Sequence, residues 1–139
     1  MPITRALRAR VRRQAGNRCG YCLSRQEYVW GQLEIEHIIP TARGGKDVES
    51  NLWLACRMCN NYKSAKIDHL DPLTGAHVRL FNPRRQTWSE HFAWNEDGTQ
   101  ITGLTPCGRA TVLALQLNNA IAVTVRQQWV AAGWHPPKD

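Results

Sequence analysis

The sequence predicts an α+β fold within a single domain that spans residues 1–139, and three observations carry this prediction. The chain has 139 residues, a length that supports one compact domain rather than two large lobes. Hydrophobic residues make up 42% of it and charged residues 21%, which is typical of a globular protein and excludes a disordered one. Short segments with the alternation of β-strands are interspersed with segments of helical periodicity.

The sequence also restricts where the protein works. No apolar run approaches the roughly 20 residues that cross a bilayer, so an integral membrane protein is excluded. Residues 1–5 lack the apolar stretch of a secretory signal. We therefore expect the chain to reside in the cytoplasm.

The first predicted element is a helix over residues 3–16. Ile3, Leu7 and Val11 recur at four-residue spacing, and Gly16 and Asn17 end the pattern. The net charge is +7, and seven arginines precede the first acidic residue of the chain: Arg5, Arg8, Arg10, Arg12, Arg13, Arg18 and Arg25. Such a cluster suits a polyanion, because each neutralised phosphate releases counterions. Composition alone is equally consistent with a solvated helix that contacts nothing.

Cysteine spacing predicts a metal site. Cys19 and Cys22 form one CxxC pair, and Cys56 and Cys59 form a second pair after 33 intervening residues. In a reducing compartment, two such pairs indicate a closed tetrahedral zinc site with four thiolate ligands. Disulfides are the alternative, but nothing signals export. Cys107 stands alone, and we interpret it as an ordinary small buried residue.

The segment between the cysteine pairs has the pattern strand, loop, strand. Residues 33–39 alternate and then become β-branched, which predicts a strand, and Pro40 ends it. Residues 41–50 form a loop that contains two glycines, and residues 51–55 form a turn and a second strand. A helix over residues 60–67 then leaves the second cysteine pair.

The second half of the chain predicts a strand-plus-helix extension over about 68–139, appended to a core module over about 15–67. Residues 78–81, 92–94 and 100–103 resemble short strands, with a turn at 95–98. Residues 112–132 are helical, with a break near Asn118 and Asn119. We expect five apolar positions of this helix to face the core: Val112, Leu115, Ile121, Val125 and Trp129.

Four polar residues lie between or beside the cysteine pairs where a zinc module alone would not need them: Glu36, His37, Asn51 and Asn60. Three of them also have a purely structural interpretation. Glu36 can be a solvent-facing strand residue, Asn51 a turn former and Asn60 a helix cap. In a regular strand, Glu36 and His37 face opposite sides. Both reach one phosphate only if the strand ends or bends at His37.

Taken together, these motifs resemble the HNH endonuclease family, whose fold is the ββα-metal (His-Me) finger. The resemblance covers about residues 15–66 and is carried by CGYC at 19–22, EIEHIIP at 34–40, GG at 44–45, NL at 51–52 and CRMCNNYK at 56–63. Residues 79–118 are similar to an extension found in one bacterial branch of the family, for which no activity is known.

The resemblance implies a role for each of the four polar residues. His37 matches the general base that activates water, and Asn51 matches the residue that braces the loop and orients the histidine. Glu36 and Asn60 match the ligands of the catalytic divalent cation. An amide oxygen at Asn60, in place of the more frequent histidine, favours Mg²⁺ or Mn²⁺ over softer metals.

The implied function is a metal-dependent endonuclease that hydrolyses phosphodiester bonds of DNA, expected to be double-stranded, and that carries a structural Zn²⁺. Four basic residues are predicted to contact the DNA: Arg5, Arg8, Arg12 and Lys63. Two other functions remain open. One is a zinc-stapled module that binds nucleic acid without cutting it, and the other is a toxin-like nuclease effector held by a protein partner.

Overall fold

The computed structural model describes residues 3–138 and divides the chain into two compact units. The first unit contains the chain up to Ile67 together with the segment Asn82–Gln86. The second contains Asp68–Phe81 and the chain from Thr87 onward. The main division, after Ile67, coincides with the expected end of the core module. That core and extension form one domain stays a prediction.

The first unit begins with α1 (Arg5–Gln14), within the predicted helix. The Thr4 side chain caps it by accepting a hydrogen bond from the Leu7 backbone N–H at 3.1 Å. Gly16, with a positive φ of 67°, follows its end. Val11 is fully buried, and α1 packs against the second strand of the unit.

Two short antiparallel strands follow, as the sequence predicts. β1 (Glu34–His37) pairs with β2 (Leu52–Ala55), so that Glu36 lies opposite Trp53 and His37 opposite Leu52. The small core beside them contains Leu33 and Leu54, which are both buried.

The helix after the second cysteine pair, α2 (Arg57–Lys63), begins and ends earlier than the predicted 60–67. The Cys56 sulfur accepts a hydrogen bond from the Cys59 N–H at 3.4 Å and so acts as the N-cap. Ser64 has a positive φ of 50°, which ends the helix. The helix therefore starts within the CxxC pair, because one of the cysteine sulfurs is also its cap.

The second unit begins with five short elements, which the sequence predicts only in part: β3 (Asp68–Leu70), β4 (His77–Arg79), α3 (Trp88–His91), β5 (Phe92–Trp94) and β6 (Ile101–Gly103). β3 pairs with β4, and β5 with β6, both antiparallel. The predicted strands at 92–94 and 100–103 are present. β3 and α3 are not among the predicted elements, because three or four residues carry too little periodicity to reveal them.

Two helices end the unit, α4 (Pro106–Ala114) and α5 (Ala120–Ala131), with the predicted break between them. Asn119 caps α5 by accepting from the Ala122 N–H at 3.0 Å. α4 begins at Pro106 rather than at 112, because Thr105 caps it and proline is favoured in the first turn.

The prediction of five core-facing positions on these helices is partly wrong. Leu115 and Trp129 are buried, but Ile121 is 65% and Val125 38% exposed. Val112 is half-buried. The buried face of α5 instead carries a charged residue, Arg126, whose guanidinium donates to the backbone oxygens of Thr99 and Leu117. The spacing of apolar residues cannot reveal a buried arginine whose guanidinium binds carbonyl oxygens.

One buried ion pair fastens the β3–β4 connection to α4. The Asp71 side chain is fully buried, and Arg109 donates to both of its oxygens at 2.9 and 3.1 Å. The Arg109 guanidinium lowers the pKa of Asp71 well below its usual range, and the Thr74 hydroxyl and the Leu73 N–H support the same shift.

This shift predicts a pH-dependent stability. A carboxylate whose pKa is lower in the folded than in the unfolded state adds stability above its ordinary pKa of about 3.9 and loses it as the pH falls. Asp71→Asn should therefore have a lower melting temperature than the parent at neutral pH. The difference between the two melting temperatures should become smaller as the pH drops below about 4. Circular dichroism melts at several pH values measure this. A gap that stays constant with pH would contradict the assignment.

Candidate active site and metal centre

Four cysteine sulfurs form a cluster suited to one metal ion. The Sγ atoms of Cys19, Cys22, Cys56 and Cys59 all lie within 4.8 Å of one another. The Cys22 and Cys56 sulfurs are 3.7 Å apart. A tetrahedral zinc with bonds of about 2.3 Å separates its sulfurs by about 3.8 Å. The four residues therefore fit a structural zinc site.

Backbone geometry holds the cluster in place. The Cys19 N–H donates to the Ser24 carbonyl at 2.9 Å, and the Leu23 N–H donates back to the Cys19 carbonyl at 3.1 Å, which closes the first turn. The Tyr21 N–H donates to the Cys19 sulfur at 3.4 Å. A Cβ at Gly20 would collide with the Trp53 ring, so only glycine fits at this position. Such N–H···S contacts stabilise thiolates and orient ligands.

The thiols do not titrate alike. Burial raises the pKa of Cys19, and its hydrogen bond with Cys19 raises the pKa of Cys59. Hydrogen bonds from the other thiols, that of Cys19 foremost, lower the pKa of Cys22. The thiols whose pKa is raised must lose their protons when a cation binds. Metal affinity is therefore expected to fall at low pH.

His37 ends β1 with a partner that the sequence analysis does not anticipate. Its Nε2 lies 2.6 Å from Oδ1 of Asp47. With Asp47 ionised, the proton of this hydrogen bond resides on Nε2, which leaves Nδ1 as the acceptor nitrogen. Within residues 3–138, Nδ1 has no hydrogen-bond partner. The only signal in the sequence is that Asp47 is an acid placed just beyond the two loop glycines.

Asn51 fastens the loop that carries Asp47. Its Oδ1 accepts from the Ile39 N–H at 2.8 Å, and its Nδ2 donates to the carbonyls of Ile39 and Lys46 at 3.0 and 3.1 Å. Gly45 packs so closely that a Cβ there would collide with the Ile39 carbonyl oxygen. The Asn51 side chain thus joins the end of β1 to Lys46, the residue before Asp47. In this way Asn51 positions Asp47, the partner of His37.

Glu36 points to the other face of β1 and is 1% exposed. The Tyr21 hydroxyl donates to its Oε2 at 2.8 Å, and the Lys63 ammonium lies 2.8 Å from its Oε1. Burial raises the pKa of Glu36, while the nearby Lys63 charge opposes that shift. Lys63 also donates to the backbone carbonyls of His37 and Ile38, so its ammonium is shared among three acceptors.

Lys63 is buried in the structure, where a phosphate cannot reach it, so the prediction that it contacts nucleic acid is wrong. Its side chain is 2% exposed, and its three protons face Glu36 and the two carbonyls at the end of β1. From sequence alone, a lysine at the end of a short helix is expected on the surface, because lysines are rarely buried. Its acidic partner lies 27 residues earlier in the chain, so no local pattern reveals the pair.

Asn60 lies on the same side of β1 as Glu36 but contacts a different acid. Its Nδ2 donates to Oε1 of Glu34 at 2.8 Å, which leaves its Oδ1 available as a ligand oxygen. The donor set fits a hard divalent cation in chemistry, because Glu36 offers a carboxylate oxygen and Asn60 an amide oxygen. The positive charge facing Glu36 in this conformation belongs to Lys63.

Comparison with known families agrees with this geometry. Residues 19–66 match the family model described as HNH endonuclease. We call this matching segment the HNH module. It contains both cysteine pairs, the two strands and α2, and it indicates a nuclease-type function on nucleic acid. Searches of curated proteins and of solved structures found no match. No helix within residues 3–138 has the length and apolar character to cross a membrane.

The basic residues of α1, beside the HNH module, fall into two groups. Arg5 and Arg8 are exposed. Arg12 is half-buried and donates to the Leu33 carbonyl at 2.7 Å, just before β1. Arg10 bonds to Glu49 at 2.8 Å, next to the loop that Asn51 closes. Part of the arginine-rich helix therefore anchors the module, and part of it faces solvent.

The segment Asn82–Gln86, which returns to the first unit, completes it through Arg84. The Arg84 Nε and Nη2 donate to the Leu52 carbonyl at 3.1 and 3.0 Å, and its guanidinium lies 4.9 Å from the centre of the Trp53 ring. Nη2 also donates to the Gln14 side chain of α1 at 2.7 Å. Arg84 thus ties the start of β2 to α1.

We expect one tightly bound zinc per chain, because four sulfurs at these distances bind the metal jointly. Elemental analysis of purified Cys59→Ser should find much less zinc, together with a lower melting temperature, since metal binding contributes folding free energy. Cys107→Ser is the matched control and should keep its zinc. A zinc-free parent, or equal zinc in both variants, would overturn the assignment.

Lys63→Met should destabilise the chain by about 3–5 kcal/mol, because it leaves the buried Glu36 carboxylate without its charged partner. The double variant Glu36→Gln with Lys63→Met removes both charges and should recover much of that loss. Urea unfolding of zinc-loaded protein measures both values. Lys66→Met, which changes a half-buried lysine bonded to the Tyr62 carbonyl, serves as the control. Additive losses in the double variant would contradict the pairing.

Proposed function

We propose that this protein is a metal-dependent endonuclease that hydrolyses phosphodiester bonds of double-stranded DNA. The observation that carries the proposal is the contact between His37 and Asp47 at the end of β1, inside a segment that matches the HNH family. A histidine with one nitrogen bonded to a carboxylate and the other nitrogen available is the arrangement a general base requires.

In this mechanism His37 accepts a proton from the attacking water at Nδ1. Asp47 keeps the other proton on Nε2 and stabilises the imidazolium that forms. Asn51 acts as a positioning residue, because it holds the loop on which Asp47 lies. Water attacks the phosphorus and gives one proton to Nδ1 of His37, and the bond to the leaving 3′-oxygen breaks. The 3′-oxygen takes up a proton from solvent, and the imidazolium later releases its proton to solvent.

Glu36 and Asn60 would hold the catalytic cation, Mg²⁺ or Mn²⁺. When bound, this cation supplies positive charge to the phosphate and to the leaving oxygen. Glu36 can act as a ligand once its Oε1 is released from Lys63, whose ammonium competes for the same carboxylate. A cation held by Glu36 would thus take the place of the Lys63 ammonium at this carboxylate.

A second function, nucleic-acid binding without cleavage, is favoured by one specific observation. The carboxylate assigned to the metal is buried and neutralised within the protein, as it would be in a purely structural role. The pairing of His37 with Asp47 favours catalysis, because binding alone needs no oriented base. Cleavage assays of the parent with and without added Mg²⁺ or Mn²⁺ separate the two functions.

His37→Ala should slow plasmid cleavage by roughly 10²–10⁴, the contribution of a general base, while DNA binding and zinc content persist. Asp47→Asn should slow it by roughly 10–100-fold through the misplaced ring. His77→Ala and Asp68→Asn, two exposed residues of the second unit, are matched controls. Rates of nicking and linearisation measure the effects. If His37→Ala cuts as fast as the parent, the assignment of the base fails.

Arg5→Ala with Arg8→Ala should weaken binding to every duplex sequence about equally, since phosphate contacts carry no base information. The slope of log affinity against log salt should become shallower by roughly 0.9 for each phosphate that is no longer neutralised. Arg12 is left intact because it anchors the Leu33 carbonyl. Arg79→Ala, an exposed arginine of β4, is the control. A salt slope equal to that of the parent would show that this helix only faces solvent.

A further inference from the structure

A cavity of about 370 Å³ lies between the loop before β1 and the first turn of α2. Trp30 and Gln32 line it from the loop, Glu34 from β1, and Arg57 and Met58 from the helix. None of these five residues has a role in the catalytic or zinc chemistry described above, apart from the contact of Glu34 with Asn60. We name this cavity the Trp30 pocket.

Trp30 is fully exposed to solvent, although its indole is a large and mostly apolar side chain. Its loop is nevertheless held in a defined conformation. The Gln26 side chain donates to the Gly31 carbonyl at 2.7 Å and accepts from the Leu33 N–H at 2.8 Å. Gly31 has a positive φ of 73°, which other residues rarely adopt. Side-chain bonds therefore fix a loop whose tip presents an indole to water.

The walls of the Trp30 pocket combine a flat aromatic surface with groups that form hydrogen bonds. Met58 adds an apolar, polarisable contact. Gln32 and Glu34 provide amide and carboxylate groups, and the exposed Arg57 provides a guanidinium. Unpaired nucleobases are recognised by aromatic stacking together with hydrogen bonds to their edges, and arginine contacts the phosphates. An apolar peptide side chain would instead desolvate the Arg57 guanidinium without giving it a partner.

We propose that the Trp30 pocket binds one unpaired nucleobase of a nucleic-acid strand, with the indole stacked on the base and Arg57 on its phosphate. This inference rests on the proposed function, because it concerns the substrate of the same module. Glu34 and His37 belong to the same short strand but face opposite sides of it. An unpaired base in the pocket therefore lies across β1 from the proposed base, and we expect duplexes with a bulged or flipped base to be preferred.

Binding assays without added divalent cation test the pocket on zinc-loaded, full-length protein. The probes are a labelled single strand, a fully paired duplex and the same duplex with one bulged base. Trp30→Ala should weaken binding to the single strand and the bulged duplex by roughly 5- to 150-fold, the loss expected for one stacked base. Binding to the fully paired duplex should not change. Trp30→Phe should retain most of the affinity, because its ring still stacks.

Trp134→Ala is the matched control, since it removes a half-exposed tryptophan of the second unit. Circular dichroism and zinc content must match the parent in every variant. Unchanged single-strand binding by Trp30→Ala would overturn the pocket, and so would an equal loss on all three probes, because stacking on an unpaired base predicts a difference between them. If the parent cuts the paired duplex while Trp30→Ala binds every probe normally, only this inference fails. A parent that binds none of the probes would overturn the proposed function as well.

Discussion

The four-sulfur cluster is the constraint on which the rest of the HNH module depends. It joins the turn at Cys19 and Cys22 to the start of α2, and one of its sulfurs, that of Cys56, also caps this helix. A module of this size has little apolar core of its own, so a metal bound by the four sulfurs would supply much of its stability. Because α2 carries Asn60 and Lys63, the staple also fixes which groups face β1.

β1 then separates two kinds of chemistry onto its two faces. His37, on one face, meets the loop through Asp47, and Asn51 holds that loop. Glu36, on the other face, meets Tyr21 and Lys63 in the interior. Adjacent strand residues alternate in this way by necessity. The arrangement therefore keeps the proposed base accessible and holds the proposed metal ligand in an internal ion pair. The proposed mechanism accordingly requires that a cation replace Lys63 beside Glu36.

Local patterns were sufficient to predict the parts of the fold that depend on spacing. The cysteine pairs, α1, β1 and β2 follow from short-range signals, and the cluster of sulfurs follows from the spacing of CxxC. The partners of the polar residues could not be predicted, because they depend on loop geometry. Asp47 is an ordinary loop acid until Asn51 places it beside His37. Likewise, Lys63 and Arg126 are buried only because acceptors across the fold satisfy their charges, which periodicity does not encode.

In the proposed mechanism, the sulfur cluster keeps His37 hydrogen-bonded to Asp47. Nitrogen-15 NMR of the His37 ring can compare zinc-loaded protein with the same protein after zinc removal. We expect zinc-loaded protein to carry the proton on Nε2, hydrogen-bonded to Asp47, and we expect zinc removal to abolish this signal because the hydrogen bond breaks. An identical His37 signal with and without zinc would refute this dependence on the sulfur cluster.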